Sequence, residues 1–351
     1  MLLDTEDETI EMIADSARGL ADQSDLGRVR ALRYGMPGFD RETWGEMCAL
    51  GWPALRVAED RGGVGLGTTA YCALTHQLGT ALVPEPLIEA SLASALLDDE
   101  ALGDHLSGDL LVLPAWQDRR DAAGPDSGLE ERGGKLYGEK RYVVGAAGAD
   151  ALLAIGPERS WLVDANDPGV KVSVAETQDG GHMATVAFDG AEGRAINVDP
   201  TNAFAEATLA TSGYLVGLTE AAMAHTVEYL NVRKQFGKII GTFQGLQHDA
   251  VELRLLIELA RASVADAALR WDAKPGTPGA MAAVSRAKVS ASTAAQKVTR
   301  GAIQLHGGIG FTDEHDIGLY LRRALVMAPR FGTAALHRAR YREFTPEAHD
   351  E

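Results

Sequence analysis

Apolar residues recur at three- and four-residue spacing through the first hundred positions. In "ETIEMIADSARGLADQ", Ile10, Ile13, Ala17 and Leu20 share one helical face. "DRETWGEMCALGW" reads as a second helix and stops at "EDRGGVGLGT", a glycine-rich stretch that predicts a turn or loop. "AYCALTHQLGTAL" and "IEASLASALLDD" are further apolar helices, separated by "VPEP". From about 110 to 198 the period changes. "DLLVLPAW", "KLYGEKRYVVG", "DALLAIG", "SWLVDA", "VKVSVAE", "ATVAFDG" and "AINV" are short runs rich in valine, leucine and aromatics, punctuated by Gly, Pro, Asp and Asn. They predict an antiparallel β domain, a sandwich or a barrel. From 199 onward helical spacing returns, with Leu215, Leu218, Ala222 and Tyr229 in one helix. Leu256, Leu259, Ala260, Val264 and Ala267 form the stripe of the next, with Ser263 among them. "AKPGTPG" then separates an alanine-rich helix that runs to about Leu305 and "HGGIG", and two shorter helices follow. The expected fold class is α+β, with a helical domain over 1–111, an antiparallel β domain over 112–198, and a bundle of four or five helices over 199–351.

The composition leaves this picture standing and removes several functions. The 351 residues are enough for more than one domain, and 46% hydrophobic with 24% charged residues is ordinary for a globular chain. A formal net charge of −17 argues against nucleic acid and anionic membranes as partners, though not against a local basic pocket. Two cysteines, Cys48 and Cys72, imply neither a disulfide framework nor a cysteine-rich metal site. The opening "MLLDTEDETIEM" lacks the basic and apolar regions of a signal peptide, and no apolar run approaches the ~20 residues of a membrane span. A soluble cytoplasmic protein is the expectation.

Candidate chemistry narrows to three clusters. HExxH, paired CxxC and GxSxG are absent from the sequence. "DEHD" (Asp313 to Asp316) stands before a helix, where acidic residues complement the dipole, so no metal site is expected. "HGGIG" follows a helix instead of a strand, which removes a dinucleotide fingerprint. The first surviving cluster is "RKQFGKIIGTFQ", Arg233 to Gln244, where an arginine fork suited to phosphate stands beside a phenylalanine. The second is "QLHGGIGF", Gln304 to Phe311, whose paired glycines allow close backbone approach and whose glutamine offers both donor and acceptor. The third is "RVAEDRGGVGLG", Arg56 to Gly67. Taken singly, each is also what an ordinary helix end carries, a glycine cap and a cation on the last turn.

Taken together and in this order, the clusters resemble the acyl-CoA dehydrogenase family over essentially the whole chain. "LGWPALRVAEDRGGVGLG" is similar to the family's LGW…PE…GGxGLG segment, "RKQFGKIIGTFQ" to its R-x-x-F-G-x-x-I-x-x-F/H-Q signature, and "QLHGGIGFTDEH" to its Q-x-x-G-G-x-G-[FY] signature. The resemblance implies FAD as cofactor, an acyl-CoA as substrate, α,β-desaturation as reaction, and electron-transfer flavoprotein as electron acceptor. In that chemistry a carboxylate removes the α-proton as the β-hydrogen leaves as hydride to the flavin. It also implies that Arg233, Phe236, Gln244, Gln304, Gly307 and Gly308 bind the pyrophosphate and adenosine side of an FAD shared with a neighbouring subunit.

The other half of the family's site departs from the pattern. Where the family reads Y-E-G-T with its catalytic glutamate, this chain reads "RFGT", with Phe331 at the glutamate position. The earlier helix position that serves some members falls on Ala207; Glu206 is adjacent, but one residue turns a helix by about 100°. No catalytic residue is therefore assigned. "LPAWQDRRDAAG" has none of the T-E-P-x-x-G-S-D loop, and "GEKRYVVGA" puts Tyr142 and Val144 where the family has a flavin-covering tryptophan and a hydroxyl. A randomly decaying gene would lose both halves. The asymmetry is similar to the short subunit of two-gene α2β2 bacterial enzymes that act on steroid side chains and other bulky thioesters, in which a homologous subunit completes the site. Three other readings stay open at this stage: a self-sufficient homo-oligomer with a displaced base such as Glu206, a structural paralogue without FAD, and a flavin monooxygenase of the same fold.

Overall fold

The computed structural model describes residues 8–21, 25–126 and 128–345. Helices come first: α1 (Glu8–Leu20), α2 (Gly27–Leu32), α3 (Arg41–Ala49), α4 (Thr68–Thr80), α5 (Leu87–Leu96) and α6 (Asp99–Ser107). Strands follow: β1 (Val112–Ala115), β2 (Leu129–Arg132), β3 (Lys135–Val144), β4 (Ala151–Ile155), β5 (Ser160–Asp164), β6 (Val170–Glu176) and β7 (His182–Ile196). Next come α7 (Thr201–Val232), a small hairpin of β8 (Lys234–Gln235) and β9 (Lys238–Ile239), and α8 (Gln244–Ala273). The described chain closes with α9 (Pro278–His306), α10 (Ile317–Met327) and α11 (Ala334–Phe344). The helical, β, helical order expected of an α+β chain is what forms. By contacts, the described residues divide into a β-containing unit, drawn from 29–67 and 84–207, and a helical unit, drawn from 8–28, 68–83 and 208–345.

In the β-containing unit the strands follow the order β1-β4-β5-β7-β3-β2, with β6 added against β7. Only β1 and β4 run parallel; the other pairings are antiparallel. β7 has 15 residues, enough to pair with β3 and β6 along its first part and with β5 at its end. Its alternation buries His182, Ala184, Val186 and Phe188 on one face, the period-two signature of a strand with one face in a core. Ala184, Val186 and Phe188 share a core with Leu136, Leu152, Trp161 and Val163. Lys140 of β3 is fully buried, and its ammonium pairs with Asp118 at 2.7 Å and donates to the carbonyls of Trp116 (3.1 Å) and Asp126 (3.0 Å). Burial lowers its pKa, against the pull of Asp118. One buried cation thereby pins the long β1–β2 connection to the sheet.

In the helical unit, α4 and α7 approach until backbones touch. A Cβ on Gly79 would lie 2.0 Å from the Tyr214 carbonyl oxygen, and one on Gly217 would lie 1.9 Å from that of His76. Gly213 faces the Cys72 carbonyl and the Thr75 hydroxyl, both 2.8 Å from its would-be Cβ. Only glycine permits such an approach. α8 turns inward most of the face its sequence pattern predicts, Ala260, Val264 and Ala267, but rotates Leu259 out of it. Ile257, Ala260, Val264, Ala267 and Trp271 are buried, whereas Leu259 is 65% exposed and shares an outer stripe with Val251 and Leu255. The helix is apolar on two sides, so periodicity alone does not choose between them.

α9 starts on a Thr277 cap that accepts from the Ala280 N–H, with Pro278 in its first turn. Lys288 of this helix is fully buried, donating to the Ala328 carbonyl at 2.9 Å, and Ser292 donates to the same oxygen at 3.2 Å. Burial, with Arg330 close by, pushes the Lys288 pKa down to about 7. The unfolded chain binds this proton up to near 10.5 and the folded chain releases it near 7, so the lysine makes stability rise with pH across that window. Below about 7 both states are protonated and its penalty is fully present. Lys288→Met keeps the volume and leaves Ser292 on the Ala328 carbonyl. It is expected to stabilise the chain at pH 7 by ~1–4 kcal/mol and to flatten the rise in melting temperature toward pH 10. A lower melting temperature with an unchanged pH slope would contradict this account.

Candidate functional site

The "RKQFG" stretch forms a hairpin at the end of α7. The Arg233 N–H still closes the helix on the Tyr229 carbonyl (2.9 Å), and its own carbonyl accepts from the Ile240 N–H (2.9 Å) across the base of β8 and β9. The two turn residues, Phe236 (φ 51°) and Gly237 (φ 78°), both have the positive φ that a type I′ turn requires. A phenylalanine is disfavoured at such a φ. Its ring is 90% exposed and meets Phe243 edge-on at 6.2 Å; the Lys238 ammonium stands 4.3 Å from the Phe243 ring centre.

The second cluster forms the end of α9. Gly307 caps the helix at φ 63°, its N–H donating to the Gln304 carbonyl, and a single 3-10 turn runs on to Phe311. A Cβ at Gly310 would press on the Ile303 carbonyl at 2.7 Å, so that glycine is a packing requirement. Gly307 and Gly308 face open space.

The two clusters line one cavity of about 410 Å³. Arg233, Gln304, Gly307 and Gly308 all line it, together with Tyr229, Gln235, His306 and Ile309. Of the six residues expected from sequence, four are therefore gathered. Phe236 and Gln244, the latter the exposed first residue of α8, are not among the lining residues. A guanidinium, a side-chain amide and open glycine backbone are a donor set for phosphate oxygens, with room for close approach.

Tyr229 and His306 were not singled out by sequence reasoning. Their rings stack at 4.5 Å, His315 meets His306 at 4.6 Å, and the His306 Nδ1–H donates to the Ala302 carbonyl at 2.7 Å. Burial, with His315 and His225 nearby, pushes the His306 pKa down to about 4, so the ring is neutral at neutral pH. The available signals were local: Tyr229 stands one helical turn before Arg233, and His306 immediately precedes the paired glycines.

Neither candidate base position offers a free carboxylate. Phe331 is 3% exposed at φ 55°, and its carbonyl accepts from His337 Nε2 at 2.8 Å. Glu206, in the β-containing unit, is held by the Arg56 guanidinium through two bonds, Nε to Oε2 at 3.0 Å and Nη2 to Oε1 at 2.6 Å. Arg56 also donates to the Leu66 carbonyl. A carboxylate so clamped is a structural anion. Tyr142 has φ 56° at a bulge between Lys140 and Val143 and is 39% exposed, while Val144 pairs with Met183 in the sheet. Bulges re-aim side chains in this way.

Comparison with known proteins gives a consistent result. The acyl-CoA dehydrogenase C-terminal domain model matches residues 199–344, and the N-terminal domain model matches 7–98. Acyl-CoA dehydrogenase IpdE2 of Mycobacterium tuberculosis is 31% identical over 330 residues, covering 91% of this chain and 92% of that protein. Among solved structures, a variant of the Tcur3481-Tcur3483 steroid ACAD superposes with a TM-score of 0.88 at 26% identity, covering 99% of this chain and 100% of the other. The ChsE4-ChsE5 complex from Mycobacterium tuberculosis gives 0.86 at 23% identity, covering 99% of each chain, and shares the fold. No helix among the described residues is long and apolar enough to cross a membrane. The chain belongs to the acyl-CoA dehydrogenase family, oxidoreductases whose cofactor is FAD.

Proposed function

We propose that this chain is one subunit of a heteromeric FAD-dependent acyl-CoA dehydrogenase. It holds the adenosine–pyrophosphate side of the cofactor and relies on a homologous partner for the catalytic carboxylate. The observation that carries this reading is an asymmetry: four cofactor-type residues gather on one cavity, while the position of the family's glutamate is a core phenylalanine. The cavity residues fit the phosphate part of FAD, because Arg233 supplies a fork of donors and Gly307 and Gly308 leave the approach open. Gln304 would orient the adjoining polar groups. Phe236 and Gln244 are exposed and available to a neighbouring chain or to the cofactor it carries. FAD supplies the two-electron acceptor for α,β-desaturation; this chain's contribution is to fix the cofactor's position. The name of the Tcur3481-Tcur3483 steroid ACAD supports both a two-component assembly and a bulky, steroid-type thioester as substrate class. Electron-transfer flavoprotein is the expected electron acceptor.

The experiment is expression of the chain alone and together with a full-length homologue that retains the glutamate. The chain alone should hold well under one FAD per chain and show no turnover of acyl-CoA substrates. The pair should purify together, yellow, with one FAD per pair and turnover. One tightly bound FAD per isolated chain, with activity, would overturn the proposal.

A further inference from the structure

A second cavity in the helical unit, of about 370 Å³, shares no lining residue with the first. It lies between α9 and α11, and each helix contributes three residues at i, i+3 and i+4 spacing. These are Arg286, Val289 and Ser290 from α9, and Arg338, Tyr341 and Arg342 from α11. Three arginines therefore line one hollow of a chain whose net charge is −17. No acid lines it. Arg286 pairs with Asp266, which also pairs with Arg270. Arg338 and Arg342 make no side-chain hydrogen bond or ion pair among the described residues, and neither do the hydroxyls of Ser290 and Tyr341. Like charges four residues apart repel along a helix, so Arg338 and Arg342 are mildly unfavourable to α11 itself. The helix dipole accounts for a cation at the C-terminal turn, where Arg342 stands. It does not account for Arg338 in mid-helix or for Arg286 on another helix.

From this arrangement we infer that the hollow between α9 and α11 binds a phosphomonoester joined to a flat ring, of about the size of a nucleoside monophosphate. The arginine forks and two hydroxyls match phosphate oxygens, and the Tyr341 ring with Val289 gives the ring a face to lie on. The inference is independent of the cofactor reading above, since Arg233 takes no part in it.

The test is calorimetric titration of the full chain with adenosine 5′-monophosphate, adenosine and inorganic phosphate. The nucleotide should bind saturably and at least about tenfold more tightly than adenosine, because the charge-assisted bonds go to its phosphate. Arg338→Gln with Arg342→Gln, both exposed positions, should weaken binding about tenfold or more at an unchanged melting temperature. Arg233→Ala should leave it as it was. Competition tests the ring: displacement by coenzyme A marks a nucleotide tail and supports the site, whereas inorganic phosphate binding as tightly as the nucleotide overturns it. The inference is also overturned by no saturable binding of the nucleotide, by full binding in the double variant, or by binding lost with Arg233.

Discussion

Gly217→Ala is expected to cost the chain ~3 kcal/mol or more, enough to melt the helical unit well below the parent protein. The added methyl would have to sit 1.9 Å from the His76 carbonyl oxygen, and that oxygen belongs to a helix backbone. A flexible side chain can swing aside; α4 can retreat only as a whole. It is tied to the rest of its unit through the Tyr214 hydroxyl on the Val83 carbonyl (3.0 Å), Arg323 on that same carbonyl (3.1 Å) and Tyr320 on the Thr80 carbonyl (3.0 Å). Overpacking of this kind typically costs 1–3 kcal/mol and more where the neighbour is rigid. Gly245→Ala is the control, an exposed position with open space around its would-be Cβ, and should change stability by no more than about 0.5 kcal/mol. Thermal or urea unfolding followed by circular dichroism reads both. Similar midpoints for the two variants would mean that the close approach of α4 and α7 is not needed.

The second large effect concerns Arg233. In the co-purified complex, Arg233→Ala should weaken FAD retention by about 10- to 100-fold, the equivalent of ~1.5–3 kcal/mol for a lost bond to a charged group. The side chain is exposed at the mouth of the cavity and ends its helix, so its removal leaves the fold alone. The readout is the flavin absorbance that survives gel filtration, together with recovery of colour on adding FAD. Lysine at this position should restore only part of the affinity, because it brings charge without the planar fork. A variant complex as yellow as the parent would detach Arg233 from the cofactor.

Much of this was legible in the chain because it is local. Helix and strand periods, the glycine at the end of α9 and the arginine at the end of α7 each declare themselves within a dozen residues. What did not show was anything requiring a choice between two equally apolar faces or a meeting of distant segments. Leu259 looked like core because it lies on an apolar stripe, yet the buried stripe of α8 runs through Ile257 and Val264. The clamp on Glu206 needed Arg56, 150 positions away in sequence. Tyr229 and His306 lie 77 positions apart in sequence, and only the packing of α7 against the end of α9 stacks them. The hollow between α9 and α11 is a property of two helices jointly, with no single motif to announce it.

The burial of Phe331 bears on descent. Phe331 stands where the family resemblance places a glutamate, and its ring is sealed inside the helical unit with 3% of its surface left. A glutamate placed there by mutation would enter a buried site. It would be held neutral by burial and would loosen the packing around it. A single Phe331→Glu change is therefore expected to cost stability without restoring a working base. Under the two-subunit reading proposed above, packing at this position works as a ratchet: with the base on the partner and this place filled by a buried ring, each chain depends on the other for as long as either is kept.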